Sequence, residues 1–273
     1  MLTPDPSTVV IFNQVMNIYC KQGSRGSTEK CEALLERMED LAAKGNERVA
    51  PDVRTYNLLI SAYANEKGPA DAETVLRRLE QHPTIQPNSI AYITCMDAYA
   101  KVGDAHNNLR ILSLMEKAYA DGNSHAKPTR RAYVSALNSL AKSGRGDAGT
   151  RAESLVQRME KLAFAGNTDL KPDTTVYNVL INCHKNSAVR AEKVLYRMGK
   201  RDVVSYSSVI NVYSKMGGVD AAKRAQALLD EMQKEDVEPN AHTFNRYVHA
   251  ASALSNYWFI DDSPLIVCLL TAQ

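Results

Sequence analysis

The sequence predicts an all-α fold, a solenoid of helix-turn-helix repeats, on three observations. First, an aromatic followed by a variable residue returns seven times in 273 residues: Phe12-Asn13, Tyr56-Asn57, Tyr92-Ile93, Tyr133-Val134, Tyr177-Asn178, Tyr206-Ser207 and Phe244-Asn245. Self-similarity at such intervals marks a repeat array. Second, apolar residues follow the aromatic at helical spacing, as Leu59, Ile60 and Tyr63 follow Tyr56 and Val209, Ile210 and Tyr213 follow Tyr206, which is one stripe of an α-helix. Third, a second helical stripe ending in Met or Leu lies between the aromatics, for example Leu34, Leu35 and Met38 or Ile111, Leu112 and Met115.

The first helix of each repeat turns its aromatic inward, while the next residue, rotated by about 100°, looks elsewhere. Glycine-containing turns follow: KQGSRGS from Lys21, EKG from Glu66, KVGD from Lys101, KSGRGD from Lys142 and KMGG from Lys215. Glycine there ends the first helix, and the polar residue after it caps the second. The second helix buries its Met-terminated face, preceded by Ala-Glu (Ala72-Glu73, Ala152-Glu153, Ala191-Glu192), with the alanine for close helix approach and the glutamate for the wet side. A Pro-x pair then opens the next repeat. Three connections are long and share a Gly-Asn stop, LAAKGNERVAPD, AYADGNSHAKPT and LAFAGNTDLKPD, whereas Met198 runs almost directly into Asp202. Successive aromatics are therefore 29 to 44 residues apart, the extremes being Tyr177 to Tyr206 and Phe12 to Tyr56. The array is expected over residues 1–252, with six full repeats and a partial seventh. Residues 253–273, which carry the only tryptophan, Trp258, read either as a cap over the end of the stack or as an irregular end.

Composition narrows the function. With 33 Lys+Arg against 31 Asp+Glu the net charge is +2, so any nucleic-acid footprint must be local. Cys20, Cys31, Cys95, Cys183 and Cys268 form no CxxC pair and read as reduced core thiols of a reducing compartment. The most apolar run, PLIVCLL from Pro264, is about a third of the ~20 residues a membrane-spanning helix requires, so a soluble protein without membrane partners is expected. The start, MLTPDPSTVV, has no signal or transit character. It reads as mid-repeat sequence, as if part of a longer chain. No phosphate-binding loop, dinucleotide-binding glycine motif, HExxH or GxSxG is present. His242 and His249 lack partner ligands, and Asp261-Asp262 is too small a carboxylate set for a metal nuclease. The expectation is no enzyme, no cofactor and no metal.

The sequence resembles the pentatricopeptide repeat family over about six and a half units, on PDVRTYNLLISAYANEKG from Pro51, KPDTTVYNVLINCHKNS from Lys171, RDVVSYSSVINVYSKMGG from Arg201 and EPNAHTFNRYVHAASAL from Glu238. The resemblance implies a right-handed solenoid that binds single-stranded RNA at about one base per repeat. It also implies an organelle, mitochondrion or plastid, as the setting, with RNA processing, stability or translation as the process. Base reading falls, by resemblance, to the residue after the aromatic paired with the last residue of its repeat: Asn13 with Asp52, Asn57 with Asn88, Ile93 with Thr129, Val134 with Asp173, Asn178 with Asp202 and Ser207 with Asn240, and Asn245 in the partial seventh. The family's code then gives a preference near 5′-U-(C/U)-N-N-U-A-3′, with Ile93 and Val134 contributing little choice. Base-sandwiching positions fall on Val10, Arg54, Ile90, Arg131, Thr175 and Val204. The two arginines depart from the family's usual residues there, although a guanidinium stacks on a base. Lys21, Lys101, Lys142 and Lys215, nine residues beyond the aromatic, would meet phosphates; the plainer account is a cation at a helix C-terminus. The rival to RNA binding is a helical-repeat scaffold holding a protein partner in its groove.

Overall fold

Every regular element is helical in the computed structural model, which describes residues 8–23 and 25–251. The expected tail or cap at 253–273, with Trp258, Asp261, Asp262 and Cys268, lies outside the described residues. Helices α1 (Thr8–Gln22) and α2 (Ser27–Ala43) form the first pair, α3 (Val53–Glu66) and α4 (Pro69–Glu80) the second, α5 (Ser89–Val102) and α6 (Ala105–Ala120) the third, and α7 (Arg130–Lys142) and α8 (Ala148–Phe164) the fourth. Next come α9 (Thr174–Cys183) with α10 (Ala188–Arg197), α11 (Val203–Met216) with α12 (Val219–Lys234), and α13 (Ala241–Ala251). The fold is an α-solenoid of helix-turn-helix repeats, and it divides into two compact units, Met1–Lys171 and Pro172–Gln273.

In the first unit α1, α3, α5 and α7 pack successively on one another, and each of α3, α5 and α7 also packs on the second helix before it. Tyr56, Tyr92 and Tyr133 are essentially fully buried there, with Leu59, Ile60, Met96 and Leu137 beside them. Each such side chain contributes roughly 1.5–3 kcal/mol by leaving water. The second unit repeats the plan with α9, α11 and α13, around a fully buried Tyr206. The inward-facing aromatic does not hold in every repeat. Phe12 and Phe244 are half-buried because each sits in a terminal repeat of the described chain, and half-buried Tyr177 lies under the Arg197 guanidinium at 5.7 Å.

Two of the glutamates expected on the wet side, Glu73 and Glu192, are instead placed between repeats. Glu73 is 1% exposed, and its carboxylate accepts from Tyr99 Oη at 2.7 Å and Arg110 Nη2 at 2.5 Å, as well as from Arg77. Glu192 is placed likewise, accepting from Tyr213 Oη at 2.5 Å and from Arg224. Glu32 takes Tyr63 Oη at 2.9 Å and Arg78 at 3.3 Å. The tyrosine seven residues past the aromatic, the preceding second helix and the repeat's own second helix thus meet at one carboxylate. A charge can sit there because arginine and tyrosine pair it.

Helix ends follow local chemistry. Asp52 and Asp202 form capping boxes with Thr55 and Ser205, while Asn88, Asp104 and Asp173 accept from the backbone three residues on. Helix α2 has no cap of its own at Gly26. Glu66 supplies it from α3, accepting from Gly26 N at 2.7 Å, Thr28 N at 2.8 Å and Thr28 Oγ1 at 2.7 Å. The long connections close their helices through the Gly-Asn stop, as Gly45 N–H to Ala42 O and Asn46 N–H to Leu41 O, a Schellman arrangement. Each then makes one 3-10 turn that buries a single apolar plug, Val49, Ala126 or Leu170.

Candidate functional site

In three repeats the residue that opens the repeat does two jobs with one oxygen. Asp52 precedes α3, where an acceptor satisfies an otherwise unpaired backbone N–H of the first turn; its Oδ1 takes Thr55 N at 2.8 Å. The same Oδ1 accepts from Asn13 Nδ2 of the repeat before at 3.2 Å. Asn88 repeats this, its Oδ1 taking Ala91 N at 3.1 Å and Asn57 Nδ2 at 3.2 Å. So does Asp202, with Ser205 N at 2.8 Å and Asn178 Nδ2 at 3.3 Å. An amide donating to the cap is fixed in orientation, so its oxygen is the group left to accept. Burial pushes the Asp202 carboxyl up, but the Ser205 hydroxyl and N–H and the Asn178 amide together hold it below the ordinary aspartate value.

The structure thus brings together Asn13 with Asp52, Asn57 with Asn88 and Asn178 with Asp202. The other assigned pairs are not joined by a direct side-chain hydrogen bond of this kind. Ser207 reaches Asn240 only through Thr243, whose Oγ1 lies 2.6 Å from Ser207 Oγ and 3.0 Å from Asn240 Oδ1. Ile93 is buried, and Thr129 opens α7 without a side-chain cap, its Oγ1 buried and unpaired among the described residues. Val134 is half-buried in the first unit, while Asp173 caps α9 in the second through Val176 N at 3.0 Å. Asn245 is exposed on α13.

The variable residues are less open than an outward-turned position suggests. Asn13, Ile93, Asn178 and Ser207 are buried, and Asn57 and Val134 are half-buried, because successive first helices pack closely at this point. The Oδ1 atoms of Asn57 and Asn178 are buried and have no hydrogen-bond partner. The sandwiching positions are the open ones: Val10, Ile90 and Val204 are 44%, 58% and 51% exposed, and Arg54, Arg131 and Thr175 are exposed as well. Apolar side chains this exposed at equivalent positions of three repeats offer flat surface to a planar ligand. Arg131 is drawn aside by Asp97 at 2.9 Å. An open cavity of about 440 Å³ lies beside the caps, lined by Asp52, Asn88, Ile85 and His125.

Lys21, Lys101, Lys142 and Lys215 are all exposed at the far end of their first helices. Lys101 Nζ reaches Asn65 Oδ1 at 3.4 Å; the other three make no ion pair among the described residues. No group of three or more metal-ligating side chains occurs among the described residues, and no described helix is long and apolar enough to cross a membrane.

Comparison with known proteins places this geometry among relatives. The pentatricopeptide repeat domain model matches residues 38–92 and 81–140, and the PPR repeat family model matches 201–250. A mitochondrial pentatricopeptide repeat-containing protein of Arabidopsis thaliana is 39% identical over 97 residues, 33% of this chain and 16% of that protein. A second such protein of the same plant is 28% identical over 267 residues, 89% of this chain and 43% of its own length. The chain spans less than half the length of either relative. Among solved structures, the pentatricopeptide repeat protein PPR10 in complex with an 18-nt psaJ RNA element superposes with a TM-score of 0.50 at 17% identity, over 92% of this chain and 38% of that one, a likeness of fold.

Proposed function

The chain belongs to the pentatricopeptide repeat family, and on that premise we propose that it binds single-stranded RNA along its first helices, one base to a repeat, without catalysing a reaction. The observation that carries this reading is the shared cap oxygen, which turns the amides of Asn57 and Asn178 so that each presents an unpaired acceptor. Uracil offers a matching donor at its ring N–H and cytosine at its amino group, so Asn178 with Asp202 suits uracil and Asn57 with Asn88 suits either pyrimidine. Both oxygens are buried in the RNA-free chain, so base entry is accompanied by a small parting of adjacent first helices. Exposed Val10, Ile90 and Val204 supply stacking surface, and the exposed lysines supply phosphate contacts. The mitochondrial relative supports an organellar setting, with transcript processing, stability or translation as the process served.

The test is RNA affinity of the full chain with Asn57→Ala and Asn178→Ala combined, at fixed salt. A pyrimidine-selective wild type that loses selectivity in the double variant, with unchanged helical content, supports the reading. Undiminished affinity and selectivity would move the assignment to a scaffold for a protein partner.

A further inference from the structure

From the second repeat on, the residue one step before the aromatic is the third of its first helix, and in two repeats it touches the reader of the repeat before. Thr55 Oγ1 lies 2.9 Å from Asn13 Oδ1, and Thr243 Oγ1 lies 2.6 Å from Ser207 Oγ. Where that residue is Ala91 there is no hydroxyl to offer, and Asn57 keeps only its bond to Asn88, its Oδ1 unpartnered. Ser205 sends its hydroxyl to Asp202 Oδ1 at 2.7 Å instead, and Asn178 Oδ1 is likewise unpartnered.

The proton of Thr55 has two acceptors within reach, Asn13 Oδ1 at 2.9 Å and Asp52 Oδ1 at 3.0 Å. Asp52 Oδ1 already accepts from Thr55 N and Asn13 Nδ2, whereas no other donor reaches Asn13 Oδ1 among the described residues. The proton therefore goes to Asn13, and a closed ring forms: Asp52 N–H donates to Thr55 Oγ1 at 3.2 Å, Thr55 to Asn13, and Asn13 back to Asp52. Every polar atom in it is used. A base donating to Asn57 Oδ1 relieves a buried unpaired acceptor; one donating to Asn13 Oδ1 adds a bond to an acceptor that Thr55 already satisfies.

We propose that Thr55 is a specificity-determining residue of the first repeat: by occupying Asn13 Oδ1 it lowers the dependence of that repeat on a base donor, and Ala91, by lacking a hydroxyl, leaves the second repeat fully dependent on one. The inference rests on the RNA reading above and concerns which repeats discriminate. Thr55 also belongs to the capping box of α3, so its replacement alone would mix stability with selectivity. The reciprocal change separates them. Thr55 and Thr243 are fully buried at this helical position, so a threonine is accommodated there, and Ala91→Thr brings a hydroxyl to Asn57.

The experiment measures affinity of the full chain for oligoribonucleotides with uridine opposite both readers, and with one uridine at a time replaced by a 2-pyrimidinone nucleotide, which has no donor on its Watson–Crick edge. In the wild type the replacement opposite Asn57 is expected to weaken binding about tenfold and that opposite Asn13 by less than about threefold, the difference between relieving an unpaired acceptor and adding to a satisfied one. Thr55→Ala should raise the Asn13 penalty to about tenfold, Thr55→Ser should leave it low, and Ala91→Thr should lower the Asn57 penalty. Equal wild-type penalties at the two readers, or penalties unmoved by both Thr55→Ala and Ala91→Thr, overturn the role of Thr55 while leaving RNA reading intact. No penalty at either reader in any of these proteins overturns both.

Discussion

At the scale of single residues, the cap oxygen of Asp52 decides most. It holds the first turn of α3 and the Asn13 amide at 2.8 and 3.2 Å, so its loss is felt in folding before any ligand is present. Asp52→Ala is expected to lower unfolding free energy by about 1 kcal/mol, the usual cost of a lost N-cap, whereas Asp52→Asn, which keeps an acceptor oxygen, should cost only a few tenths. Denaturant midpoints of the two variants check this, and equal midpoints would refute it. The proline and the aromatic of this stretch were legible from sequence because turn chemistry and helical period are local, whereas the capping role of Asp52 emerged only in the structure. The bond to Asn13 spans 39 residues, and only the resemblance to a family pointed to it. Thr55 went unread, since contact between a third helical residue and the reader before it depends on how two repeats stack.

At the scale of elements, α2 depends on its neighbour. Its capping acceptor is Glu66, whose carboxyl is held down to about 2 by the Gly26 N–H first, then by the Thr28 hydroxyl and N–H. An ordinary glutamate titrates near 4.3, so this group binds fewer protons folded than unfolded. Its stabilisation is present above about pH 4.3 and is lost as pH falls toward 2. Glu66→Gln should flatten the acid limb of the stability curve over that window, measured by helical signal against pH. An unchanged limb would place the carboxylate elsewhere. Gly103 illustrates a second kind of dependence. It ends α5 at φ +73°, and a Cβ there would stand 3.3 Å from the Lys142 carbonyl oxygen of the next repeat. Gly103→Ala is expected to cost about 1–2 kcal/mol from the left-handed backbone alone, read as a lowered melting temperature. Glycine as a helix stop was visible in the sequence. The approach of Lys142 was not, and neither was the burial of Glu73, whose partners Tyr99 and Arg110 lie 26 and 37 residues away.

At the scale of the whole molecule, a net charge of +2 means that the proposed RNA binding would depend on local lysines. Each phosphate neutralised on a single strand adds about −0.7 to the slope of log affinity against log salt. Lys101→Ala should therefore make the slope shallower by about 0.7 if Lys101 meets a phosphate. An unchanged slope with stability lowered by about 0.3–1 kcal/mol would assign it to the helix end instead. The repeat architecture itself was readable from seven aromatics, since each repeat rebuilds one local pattern. What could not be read is which neighbouring side chains share an atom.

That sharing bears on attempts to rewrite the array. At positions 52, 88, 129, 173, 202 and 240 the residue that would choose a nucleotide also starts a helix, and Thr129 already does so without a side-chain bond. If these residues read RNA as proposed, changing the letter chosen by one repeat would alter the folding of the next. A library of recoded variants would sort by melting temperature as well as by target, and the sequences such an array can be taught to read are limited by which residues can still begin a helix.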